Sequence, residues 1–109
     1  MALRYRLHID AGSTFRREFE YTNPDGSEFD LTDYSAALQI RETPTSPLAL
    51  SVTPDIDVEN ATISFTLTAA QTATLTQERY VYAIELTTPD DEVFRFVEGG
   101  IRVSPEVVR

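Results

Sequence analysis

Any site chemistry in this chain would rest mainly on oxygen ligands. The stretch "YTNPDGSEFDLTDY", Tyr21 to Tyr34, carries Asn23, Asp25, Gly26, Ser27, Glu28, Asp30 and Asp33 within eleven positions. A calcium loop of the helix–loop–helix kind needs acids at alternate positions before its glycine and a bidentate Glu six positions after it. Here position 24 is Pro, Asp25 adjoins Gly26 directly, and position 32 is Thr. The same residues suit a tight turn better. In "NPDG", Asn23 takes the first position, Pro24 presets φ at the second, and Gly26 accepts the exit conformation at the fourth. The expectation is turn chemistry and no metal site.

The remaining reactive groups are sparse. "DIDVE" projects Asp55, Asp57 and Glu59 from one face of an extended segment. A carboxylate-lined metal or glycosidase site uses such groups, but charge guarding a strand edge is their commoner role. His8 is the one histidine, and its strand phase puts it on the face of Arg4 and Arg6. A Ser–His–Asp arrangement would need Ser and Asp to converge on that surface strand. Cysteine and lysine are absent, which removes thiol and amine nucleophiles as well as disulfides. "EGG", Glu98 to Gly100, lacks the spacing and the following helix of a phosphate loop, and reads as a bulge or bend between two strands. No catalytic residue, cofactor or small-molecule substrate is expected.

Period-two alternation runs through the chain, so the elements that must carry these groups are strands. "LRYRLHI" points Leu3, Tyr5, Leu7 and Ile9 one way, with Arg4, Arg6 and His8 opposite. "TFRREFEY" offers Phe15, Phe19 and Tyr21 inward, with Arg17 interrupting the apolar row. Further strands follow at "YSAALQIR", "LALSV" (Leu48, Leu50 and Val52 inward) and "ATISFTL". "YVYAIELT" sends Tyr80, Tyr82, Ile84 and Leu86 inward and Val81 outward. "VFRFV" and "GGIRVS" supply Phe94, Phe96, Ile101 and Val103 to the core, and send Val93 and Val97 outward. "TAAQTATL" is a short helical turn, with Thr68 as N-cap and Gln71 as its capping-box partner. The loop "PTSP" lies outside any strand, because Pro cannot donate to a ladder. Short connections predict antiparallel neighbours. The fold class expected is an all-β, immunoglobulin-like antiparallel β-sandwich of seven or eight short strands with one short helical connector, a single domain over 1–109.

The 109 residues carry a net charge of −9, from nine basic residues, all Arg, and eighteen acids. An acidic chain lacks the basic surface that phosphate contacts need, so nucleic acid is not an expected partner. No run approaches eighteen apolar residues, so no membrane span is expected, and "MALRYRLHID" lacks the apolar stretch of a signal peptide. The charge is uneven. Residues 1–17 hold Arg4, Arg6, Arg16 and Arg17 against Asp10 alone, and the rest holds five Arg against seventeen acids. A basic edge on an acidic body favours docking onto an acidic neighbour. The candidate interface is therefore Arg4, Arg6, His8, Arg16 and Arg17, with an apolar patch of Val81, Val93 and Val97.

The motifs also occur in a telling order. Gly12-Ser13-Thr14-Phe15 comes first, then Asp30-Leu31-Thr32 before Tyr34 and an Ile40-Arg41 strand. The Thr- and Ala-rich helical turn follows, then Tyr80 and Tyr82 on one strand, the Pro89-Asp90 hairpin, and Glu98-Gly99 in the closing strand. Over Gly12 to Val107 this resembles the N-terminal domain of the baseplate upper protein group of tailed bacteriophages. The chain departs from that pattern at Asp33 and Asp91, where Gly is usual, and at Gln77-Glu78-Arg79, which replaces a Gly-containing turn. The resemblance implies an immunoglobulin-like sandwich in a virion, assembled in the bacterial cytoplasm. It would have no enzymatic role, and its partners would be other virion structural proteins, including further copies of itself. The tail, baseplate or fibre-attachment region is the first expectation. A head decoration protein, or an immunoglobulin-like module for a cell-surface ligand, is the alternative.

Overall fold

The computed structural model describes residues 3–105. Nine strands and one helix follow in order: β1 (Leu3–Arg4), β2 (Leu7–Asp10), β3 (Phe15–Glu20), β4 (Ser35–Arg41), β5 (Leu48–Val52), β6 (Asp55–Asp57), β7 (Thr62–Leu67), α1 (Ala69–Ala73), β8 (Arg79–Thr87) and β9 (Val93–Ser104). A six-stranded sheet in the order β1-β9-β8-β4-β5, with β2 also on β9, packs against a three-stranded sheet, β3-β7-β6. The expected all-β sandwich is what forms.

The inward rows meet as the alternation requires. Leu38, Ile40, Tyr82, Ile84, Leu86 and Ile101 from the larger sheet face Phe19, Ile63, Phe65 and Leu67 from the smaller one, all buried. Burying a side chain of this size contributes about 1.5–3 kcal/mol. Helix α1 starts where expected. Thr68 accepts from the Gln71 backbone N–H at 3.1 Å, and the Gln71 side chain accepts from the Thr68 N–H at 2.8 Å. Thr72, fully buried, ties the helix to the β2–β3 loop. Its hydroxyl donates to the Ser13 carbonyl at 2.8 Å and accepts from the Gly12 N–H at 3.0 Å.

Three features depart from the alternation. First, β1 and β2 run parallel to β9, not antiparallel, with Leu3 opposite Val97 and Leu7 opposite Ile101. The chain leaves strand geometry at Tyr5 and Arg6, and this leaves Leu3 55% exposed at the sheet margin. Second, "VFRFV" and "GGIRVS" are one strand, and the bulge lies before the glycines. Ile84 pairs with Val97 but Glu85 pairs with Arg95, leaving Phe96 as the extra residue. A bulge shifts the side-chain phase by one, so Phe96 and Val97 both turn inward. Val97, expected outward, is 0% exposed and belongs to the core. Third, a register shift beside Ile40 and Arg41 pairs Leu48 with Arg41, which turns Leu48 out of the core.

Gly99 has a packing reason. A Cβ there would lie 2.0 Å from the Tyr5 carbonyl oxygen, whereas one on Gly100 would meet only the Tyr80 oxygen at 3.9 Å. The Tyr5 N–H donates to the Glu98 carbonyl at 3.0 Å and the Tyr82 hydroxyl donates to the Tyr5 carbonyl at 2.6 Å, so the crossing is fastened from both sides. Gly99→Ala is expected to cost about 1–3 kcal/mol, because backbone and not a flexible side chain must move. Gly100→Ala is expected to be neutral or slightly stabilising. Thermal melts of the two variants check this pair.

Candidate interaction surface

The oxygen-rich stretch resolves into turns. Gly26 donates to the Asn23 carbonyl at 2.9 Å, Asn23 donates to the Ser27 carbonyl at 2.8 Å, and Gly26 has φ 90°. This is a tight turn closed by a left-handed residue. Asp25 accepts from the Ser27 N–H and hydroxyl, and Asp30 accepts from the Thr32 N–H and hydroxyl. Those bonds hold both carboxyls below their usual pKa. Asp57 is engaged in the same way by Asn60, which lowers its pKa too. Among the described residues no group of three His, Cys, Asp or Glu side chains converges on a common point. The Pro89-Asp90 hairpin repeats the first turn. Asp91 donates to the Thr88 carbonyl at 2.9 Å, Thr88 donates to the Glu92 carbonyl at 2.8 Å, and Asp91 has φ 64°.

The expected interface residues are dispersed. Arg4 and His8 lie on the outer face of the six-stranded sheet, opposite Glu98 and Arg102 respectively, and Arg6 is exposed at the break between β1 and β2. His8 Nε2 sits 2.6 Å from the Ser104 hydroxyl and 3.8 Å from the Asp10 carboxylate. Arg16 is on the outer face of the other sheet, 4.0 Å from Glu18. Arg17 does not join a solvent-facing basic row. Its phase on β3 is that of Phe15 and Phe19, so its guanidinium lies 5.2 Å from the Phe15 ring centre and 5.6 Å from that of Tyr5. Its Nε is buried without a hydrogen-bond partner. Contacts of a guanidinium with ring faces offset part of such a burial. The apolar patch does not form either. Val97 is in the core, and Val93, 59% exposed, pairs with Thr87, about 20 Å along β8 from Val81.

A different surface assembles around Val81. A shallow groove of ≈ 430 Å³ crosses the outer face of β4, β8 and β9. Ala37, Val81, Ala83 and Gly100 form a floor of small side chains, and Arg4, Arg41, Arg95, Glu85 and Glu98 stand around it. Arg41 is held by the Ser46 carbonyl at 2.7 Å and the Gln39 side chain at 3.0 Å, and Arg95 by Glu98 at 3.1 Å. The sequence showed Val81 on the outward phase of β8. It did not show that the β4 and β9 registers would put Arg41 and Arg95 beside it.

No protein-family model and no curated protein matches the sequence. Among solved structures, the soluble domain of PmoD from Methylocystis sp. (strain Rockwell) is similar, with a TM-score of 0.53 and 16% identity over 89% of this chain and 77% of that one. The likeness is one of fold.

Two predictions follow from the fastening of Tyr5 and from the left-handed turns. The Tyr82 hydroxyl has its pKa pushed up to about 12, first by burial and then by the nearby Tyr5, with Arg17 opposing. A raised pKa favours the neutral form in the fold. The stability it represents is complete below the unfolded value of about 10 and is lost as pH rises through the folded one. Tyr82→Phe should cost about 1–2 kcal/mol at neutral pH by leaving the Tyr5 carbonyl unpaired, and should flatten the alkaline decline in melts above about pH 10. Asp33 and Asp91, at φ 62° and 64°, should each gain several tenths of a kcal/mol when replaced by Gly. Their melting temperatures should rise by a few degrees.

Proposed function

We propose that this chain is a structural subunit of a tailed-bacteriophage particle, in the tail, baseplate or fibre-attachment region, acting through protein–protein contacts. The observation that carries the reading joins sequence and backbone. The resemblance places Gly at positions 33 and 91, and those two positions adopt φ of 62° and 64°, which favour Gly. Left-handed backbone at both of these positions is what supports the reading.

The surfaces support the same reading. β1 and β2 form one margin of the larger sheet, and an unpaired strand edge is a template for another chain. Arg4, Arg6 and His8 are exposed along that margin, and a planar guanidinium binds carboxylates at two points. A ligand-binding module would offer open aromatic faces. Here Tyr21 is stacked between Phe29 at 4.1 Å and Phe96 at 5.0 Å, and Tyr34 packs edge-on against Phe29 at 5.6 Å. The faces of that cluster are largely occupied by one another.

The test is the protein's position and copy number in purified particles, read by labelling and quantitative mass spectrometry. Arg4→Glu with Arg6→Glu should leave the melting temperature within a few degrees, since surface changes of this kind shift stability by less than about 0.5 kcal/mol each. Incorporation should fall severalfold. A chain absent from purified particles overturns the reading, and wild-type incorporation of the double variant removes the β1–β2 margin from it.

A further inference from the structure

The two outer faces of the sandwich carry opposite charge. On the smaller sheet the register aligns Glu18, Ser64 and Asp55 in one row and Glu20, Thr62 and Asp57 in the next. The central residues Ser64 and Thr62 are 9% and 8% exposed, while the four flanking acids are open to solvent. Arg16 is the one cation on the described strands of that face. The turn from β6 to β7 then carries Val58, an apolar side chain 46% exposed, and exposed Glu59. The opposite face, on the larger sheet, carries five of the nine arginines, Arg4, Arg41, Arg79, Arg95 and Arg102, against three acids, Asp10, Glu85 and Glu98, the last already paired with Arg95.

We propose that copies of this chain associate head to tail, with the acidic β6 margin of one copy seated in the arginine-rimmed groove of the next. The chemistry matches part by part. In this contact Val58 would meet the small apolar floor at Val81 and Ala83, and the carboxylates of Asp55 and Glu59, on either side of it in sequence, would meet the rim arginines Arg41 and Arg95. Both halves of the complementary pair are on one chain, and they lie on opposite faces of the sandwich, so a single copy cannot satisfy itself. Two bodies of net charge −9 repel in most orientations, and this one brings opposite signs together, so charge selects the register as well as the partner. Because the two surfaces differ, the contact is heterologous and repeats into a ring or an open chain, not a two-fold dimer. The inference deepens the assembly reading above and rests on it for the choice of a second copy over a foreign acidic protein.

A contact of this size is weak in free solution, with a Kd of roughly 0.1–1 mM, and gains strength where a scaffold presents many copies. The test is sedimentation velocity of the full chain at low salt over a concentration series reaching about 1 mM. Wild type should show a sedimentation coefficient that rises with concentration and stops rising near 1 M salt, where charges are screened within about 3 Å. Arg41→Glu with Arg95→Glu destroys the groove rim, and Asp55→Asn with Glu59→Gln neutralises the β6 margin. Each should weaken association at least about tenfold, with circular dichroism melts confirming the fold. Gly100→Phe, at a position with room for a side chain, fills the floor without changing charge and should do the same. An equimolar mixture of the two charge variants should form dimers and nothing larger, because one intact groove meets one intact margin. A wild-type coefficient that stays constant to about 1 mM overturns the proposal. So does association that survives either charge variant, or a mixture that fails to pair or grows beyond dimers. Particle location is measured separately, so a chain found in particles that does not self-associate sinks this inference alone. Self-association by a chain absent from particles sinks the reading above alone.

Discussion

The basic margin of the sandwich depends on one close backbone crossing, where the Tyr5 carbonyl occupies the place a side chain at residue 99 would take. Parallel pairing of β1 and β2 with β9 keeps a single register, with Leu3 opposite Val97 and Leu7 opposite Ile101. The two residues that leave strand geometry, Tyr5 and Arg6, therefore fall opposite the glycine pair. Without Gly99 the N-terminal segment could not lie flat on β9. Arg4 would then lose its place beside Glu98, and the Tyr5 ring its contacts with Phe19 and Arg17. The crossing is fastened by the Tyr82 hydroxyl from the core side, so a buried phenol on the central strand β8 sets the position of an exposed edge.

Much of the sandwich was legible because alternation is a physical consequence of the pleat. The inward rows of β4, β7 and β8, the capping box at Thr68 and Gln71, and the turn at Asn23 to Gly26 follow from local chemistry that tertiary contacts did not override. Errors came where one residue changes the phase. Phe96 is apolar, and so is Val97, so a bulge that turns both inward costs nothing in hydrophobic pattern and leaves no mark in the sequence. The same holds at Leu48, which fits either face of an edge strand. Parallel pairing of the first strand was hidden for another reason. Short connections constrain neighbours in sequence, whereas β1 and β2 pair with the last strand of the chain.

The candidate surface was legible only in its parts. Arg4, His8 and Val81 point outward as alternation demands, yet a face is made by register, and register across β4, β8 and β9 is fixed by the hydrophobic rows beneath it. Arg17 shows the opposite case. Its place between Phe15 and Phe19 announced an inward phase, and the stem of an arginine is apolar enough to accept it. The guanidinium then finds two aromatic rings in place of carboxylates. Charge counted along the sequence put Arg16 and Arg17 in one basic segment, and the pleat sent them to opposite sides.

That separation explains why the chain's charge split is more informative in space than along the sequence. The same net charge scattered at random would keep copies apart and nothing more. Here the acids of β3 and β6 share one outer face, and on the other five arginines outnumber the acids Asp10, Glu85 and Glu98. The hydrophobic content of the two outer faces is low, with small residues over the groove floor and hydroxyls at the centre of the acidic rows. Surfaces of that kind remain solvated when alone, because neither exposes a large apolar patch. The attraction proposed between them would be electrostatic, short in range at physiological salt, and steep in its dependence on the number of contacts made together. The head-to-tail contact proposed above would therefore be weak between free copies and would strengthen only where many copies are held side by side. An apolar interface of equal strength would show the same threshold but would not select the register, since burial of hydrocarbon is non-directional.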